Sequence, residues 1–200
     1  MAFFSKPVMT KKRRKVLDSF LSNAVKALKE IRKEEKNRIV KDLFELMAEN
    51  VARTPIYFYP RKILRANFYS QGGRIGMGVT QGENVSYFKI IQIGGTTKIE
   101  RKSFINLPAE HVFDGDKMTL NGLLTLCHEY AHFPKPKLGE FAKKYGLGST
   151  QAEELLADML SAKLAVKMGF PKKEVLRHFS GREIVYGLFP FKEFIARATA

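Results

Sequence analysis

Two histidines four residues apart, with a glutamate directly after the first, constrain this chain more than any other feature. The segment reads Leu124-Thr125-Leu126-Cys127-His128-Glu129-Tyr130-Ala131-His132 and is predicted to be helical. Four residues make just over one helical turn, so His128 and His132 project from one face and can grip one ion. Glu129 points about 100° around the axis from His128. That is too far round for a third ligand on the same face, but it can touch a water held by the metal.

A catalytic zinc usually has three protein ligands and one open position. The next predicted helix, over 150–168, offers Glu153-Glu154-Leu155-Leu156-Ala157-Asp158. Glu154 and Asp158 are four apart and share a face. Leu155, Leu156, Met159, Leu160, Ala162 and Leu164 can pack that helix against a core. Glu154 can then be the third ligand. Asp158, one turn later, can accept the outer N–H of a ligand histidine, which fixes the ring's tautomer and orientation. Both helices are framed. Asp116 or Thr119 can cap the first, over 118–133, and Pro134 and Pro136 stop it. Thr150-Gln151-Ala152-Glu153 reads as a capping box opening the second, and Gly169 and Pro171 close it.

The two segments, His128-Glu129-Tyr130-Ala131-His132 and Glu154-Leu155-Leu156-Ala157-Asp158, resemble the gluzincin metallopeptidases. Their pattern is His-Glu-x-x-His followed, on a later helix, by Glu-x-x-Ala/Ser-Asp. The separation here, 26 residues from His128 to Glu154, suits the compact members, and the resemblance covers about residues 118–168. It implies Zn2+ held by His128, His132 and Glu154. Glu154 is the implied ligand rather than Glu153, because only Glu154 has Ala-Asp at the right offset. It implies peptide-bond hydrolysis in which the zinc polarises a water and Glu129, as general base, passes that water's proton to the leaving amine. Such enzymes usually supply a His, Tyr or Arg from downstream to steady the oxyanion; here the candidates are Tyr186 and His178, near Arg182. The metzincin pattern, with Gly and a third His soon after the first motif, is absent.

The expected fold is α+β and zincin-like. A small antiparallel sheet packs on the active-site helix and the glutamate-ligand helix, and a basic helical region precedes them. The boundaries are residues 1–53 for the basic helical region and 54–200 for the zincin-like metallopeptidase domain. Pro55 and Pro60 bracket Ile56-Tyr57-Phe58-Tyr59, Val85–Ile93 is rich in β-branched and aromatic residues, and Gly94-Gly95 marks a turn. Three or four antiparallel strands are expected there, one of them bordering the cleft and pairing with an extended substrate. Gly73, Gly76 and Gly78 fit neither phosphate-binding fingerprint, so a hairpin turn or bulge is expected. A last helix is expected after Pro190, and His111 is isolated. Cys127 is the only cysteine, which excludes an internal disulfide framework and a multi-cysteine zinc site. It points away from both histidines and reads as a small core residue.

The net charge of +15 attracts polyanions, nucleic acid among them. Lys11-Lys12-Arg13-Arg14-Lys15 reads as a mobile basic arm. Residues 16–52 read as helix, with Leu17, Phe20, Leu21, Ala24, Val25, Leu28 and Ile31 at three- and four-residue steps. No Pro or Gly lies inside, so one long helix and two in series are equally open. No apolar run reaches a membrane-spanning length, and Met1 to Lys15 lack the apolar stretch of a secretory signal, so a soluble intracellular protein is expected. The rival function is a basic nucleic-acid- or particle-associated structural protein that keeps a zincin fold without turnover.

Overall fold

Leu17, Phe20, Ala24, Ala27, Leu28 and Ile31 form the buried stripe of α1 (Lys11–Glu34). The computed structural model describes residues 9–59, 66–71, 74–79, 83–93, 96–132, 138–179 and 191–199. The basic run expected as a mobile arm is the first turn of α1. Thr10 caps it, its side chain accepting from the Arg13 N–H at 3.1 Å. Arg13 Nε donates to the Gly115 carbonyl at 2.7 Å, and its guanidinium lies 5.4 Å from the centre of the Phe113 ring. These contacts hold the run against the body of the protein.

The helical region divides into α1 and α2 (Arg38–Arg53) with neither Pro nor Gly at the break. Side chains make the break instead. The Glu35 carboxylate accepts from the Asn37 N–H at 3.0 Å, and the Asn37 side chain accepts from Val40 N–H at 3.3 Å. The Asn37 carbonyl accepts from Lys41 at 2.9 Å, so Asn37 caps α2. The two helices fold back on each other, with Arg32 and Glu45 paired at 3.0 Å. Leu43, Phe44 and Met47 are fully buried, each worth about 1.5–3 kcal/mol of apolar burial as an upper estimate.

Five longer strands follow: β1 (Ile56–Tyr59), β2 (Ala66–Gln71), β3 (Arg74–Val79), β4 (Glu83–Ile93) and β5 (Thr96–Pro108). β2 and β3 form a separate antiparallel hairpin, with Gly76 opposite Tyr69 and Gly78 opposite Asn67. Those glycines are therefore strand positions. The main sheet has the order β1-β5-β4. β4 and β5 are antiparallel, but β1 runs parallel to β5, with Ile56 beside Ile105. The expected all-antiparallel sheet is thus mixed. Parallel neighbours need a connection of about a dozen residues or more, and the chain between β1 and β5 supplies it.

Beyond β5 come α3 (Ala109–Val112), a two-residue ladder of β6 (Phe113–Asp114) and β7 (Lys117–Met118), then α4 (Leu120–Tyr130), α5 (Leu138–Tyr145), α6 (Ser149–Lys167), α7 (Lys172–His178) and α8 (Phe191–Ala198). α4 and α6 are the central pair. From Gly122 to Tyr130 every residue of α4 is buried, and α6 is buried on nearly all sides from Leu155 to Leu164. α1 flanks α6, with Lys163 bound to Glu35 and Lys167 to Glu34, each at 2.7 Å. Gly122 lets α4 lie directly on α3. A Cβ there would collide with Val112 Cα and stand 2.8 Å from the His111 carbonyl oxygen. The fold is α+β, mostly helical with small sheets. Among the described residues no helix is long and apolar enough to cross a membrane.

Candidate metal centre

Thr119, not Asp116, caps α4: its side chain accepts from the Gly122 N–H at 2.9 Å. Asp116 instead accepts from the Thr10 hydroxyl at 3.1 Å. The helix was expected to run to residue 133 but stops at Tyr130, so His132 lies just past its end. The stop is met by residues distant in sequence. Asn50 Nδ2 donates to the Tyr130 carbonyl at 3.2 Å, and the Tyr130 hydroxyl donates to the Thr54 carbonyl at 3.3 Å. The Ala131 N–H is shared between the carbonyls of Cys127 and His128, at 3.1 and 3.0 Å, which tightens the last turn. The two histidine rings stay neighbours, with centroids 4.9 Å apart and planes at 81°.

α6 starts one residue earlier than expected, at Ser149, with Gly148 at the cap. Gln151, not Glu153, reaches back, accepting from the Gly148 N–H at 3.3 Å. That leaves the acids of the first turns for the histidines. Glu154 presents one carboxylate to both inner nitrogens: Oε2 lies 3.2 Å from His128 Nε2 and Oε1 lies 4.0 Å from His132 Nε2. Behind the rings, Asp158 Oδ1 is 2.8 Å from His128 Nδ1 and Glu153 Oε1 is 3.1 Å from His132 Nδ1. Each histidine therefore turns Nε2 inward and Nδ1 toward its own outer carboxylate.

Glu153 is the residue that sequence reasoning missed, having been taken as part of the cap. A signal was available. Two ligand histidines call for two outer acceptors, and only Asp158 had been assigned. Glu153 stands next to Glu154 on the opposite side from Asp158.

Asp158 is fully buried, and a carboxylate out of water is strongly disfavoured unless paired. His128 supplies the pairing. Burial disfavours the charged ring of His128, but hydrogen bonds to Asp158 and then Glu154 outweigh it, and its pKa is pushed up to about 10. A protonated ring would donate from both nitrogens, to Asp158 and to Glu154. A divalent cation held at Nε2 would take the place of one of those protons. The donor set is of the right kind for such an ion: tetrahedral bonds of about 2.0–2.2 Å put ligand atoms about 3.3–3.6 Å apart, and the Glu154 oxygens lie 3.2 Å from His128 Nε2 and 4.0 Å from His132 Nε2. His128, Glu129 and His132 each offer a ligand atom, all within 4.8 Å of one another, and Glu129 is buried. Burial pushes the Cys127 thiol up, so it stays a neutral core group.

The remaining candidates lie elsewhere. His178 Nδ1 is 2.9 Å from Asn121 Oδ1 in the first turn of α4, two turns before His128, so the structure does not bring it to the His128–Glu154 group. Tyr186 and Arg182 lie outside the described residues. His111, isolated by sequence, has Nε2 2.9 Å from Thr125 Oγ1, one turn before Glu129 on α4. Comparison with known protein families, with curated proteins and with solved structures finds no match.

Proposed function

We propose that the chain is a zincin-type, zinc-dependent peptide hydrolase. The observation that supports this most is the double clamp. Glu154 faces both Nε2 atoms, while Asp158 and Glu153 each hold one Nδ1. Two imidazoles and a carboxylate are the donor set of many catalytic zinc sites, with room for a further ligand. When bound, zinc supplies Lewis acidity toward a water and the scissile carbonyl. His128, His132 and Glu154 would hold it. Asp158 and Glu153 keep the rings aimed and their inner nitrogens basic. Glu129 takes a proton from the attacking water and hands it to the leaving amine. Tyr186 is the proposed donor to the oxyanion, since His178 is engaged by Asn121.

The charge of +15 favours a second reading, a basic nucleic-acid- or particle-associated structural protein that keeps the fold without turnover. Elemental analysis of protein purified without chelator, paired with cleavage of a peptide library, separates the two. About one zinc per chain and chelator-sensitive cleavage support the hydrolase. Bound zinc without any cleavage supports the structural role, and a protein that takes up no metal removes the hydrolase.

A further inference from the structure

We infer that the outer face of α1 is a docking surface for the phosphate backbone of duplex nucleic acid. Eight of the nine basic residues of this helix fall into two sets, and the ninth, Arg14, is exposed on another face. Lys12 approaches Asp116 at 3.9 Å, Arg13 bonds Gly115, and Arg32 pairs with Glu45. Lys11, Lys15, Lys26, Lys29 and Lys33 are all exposed, and none makes an ion pair among the described residues. At 100° per residue these five fall within a sector of about 60°, opposite the buried stripe. Asp18 and Glu30 stand at the sector's two edges, and Glu30 lies within 3.7 Å of Lys167. The stripe of lysines runs about 33 Å along the helix, close to the ~34 Å of one duplex turn.

The chemistry of the face selects the partner. A helix that binds a lipid surface inserts its apolar side. Here that side, Leu17, Phe20, Ala24, Leu28 and Ile31, is already committed to the core. Single-stranded nucleic acid is held by aromatic side chains that stack on bases, whereas the residues on this sector between Lys15 and Lys26 are Asp18, Ser19 and Ser22. Lysines offer compact point charges rather than the planar fork of arginine, which suits a run of phosphates. What remains is counterion release on a regular array of phosphates, without sequence preference. One edge of the face meets α6 at Glu30 and Lys167, nine residues beyond Asp158 along that helix, so docking there does not depend on the metal centre.

The test measures binding of the full chain to a mixed-sequence duplex of about two helical turns, by fluorescence anisotropy over a range of salt. Five neutralised phosphates predict a slope of log affinity against log salt of about −4.5. K26Q/K29Q/K33Q should flatten that slope by about 2.7, while K143Q/K172Q/K173Q, which removes equal charge from exposed positions on α5 and α7, should leave it unchanged. Chelator-treated wild type should bind as well as untreated. Equal losses in the two triple variants would overturn the proposal. So would tighter binding to a single strand of the same length, or stripe-dependent binding to phosphatidylserine vesicles with none to duplex.

Discussion

His132 turns its Nδ1 to Glu153, 3.1 Å from that carboxylate. With Asp158 behind His128 at 2.8 Å, both histidines of the motif are anchored from outside by acids of the same helix that brings Glu154 between them.

Glu153→Ala should therefore weaken metal binding by about 10–100-fold, as loss of an outer partner does, and Glu153→Gln should recover part of it by keeping an acceptor. Competition against a chromophoric chelator reads both. An unchanged affinity would return Glu153 to a purely local role at the start of α6.

Asp158→Ala leaves His128 buried without its main partner. Breaking a buried pair in this way costs about 3–5 kcal/mol, and urea unfolding of the metal-free protein measures it. The same variant should lose metal affinity about 10–100-fold. A metal-free variant as stable as wild type would mean that the Asp158–His128 contact contributes nothing net to folding.

The metal-free protein should also report on His128 through pH. Its folded pKa, about 10, lies above the ordinary 6.5. Its contribution is fully present below pH 6.5 and is lost as pH rises toward 10. The melting temperature of the chelated wild type should fall across that window, more than that of His128→Ala. Zinc uptake near neutral pH should release about one proton from this ring, read by calorimetry in buffers of different ionisation enthalpy. No proton release would contradict the protonated state of His128.

Gly122→Ala tests the seating of α4. The new Cβ would meet the backbone at Val112, which cannot swing aside as a side chain can. Overpacking of this kind costs about 1–3 kcal/mol. Thermal unfolding checks it, and a stability equal to wild type would show that α3 yields easily.

The helical half of the fold was legible because its periodicity is strong. Leu17 to Ile31 marked the buried face of α1, and His128 and Glu154 marked the two central helices. The break between α1 and α2 was hidden because Glu35 and Asn37 make it with side chains, where only Pro or Gly was sought. The end of α4 was set by Asn50, a residue 80 positions away, which no local pattern reveals. The direction of β1 is a matter of topology, and strand composition does not encode it. In the site, helical spacing offered Glu154 as a candidate and the family resemblance singled it out from Glu153; it is the residue that faces both inner nitrogens. Glu153 was missed because a glutamate near a helix start has an ordinary reading as a cap.

Glu129 carries the proposed chemistry without holding the metal, so Glu129→Gln is the most direct test. Zinc content, melting temperature and peptide cleavage should be measured on the same preparations of wild type and variant. Zinc and stability should be retained, and cleavage should fall by at least about 10²-fold, the usual worth of general-base help. Equal cleavage by the two proteins, or none by zinc-loaded wild type across a broad peptide library, would contradict the hydrolase.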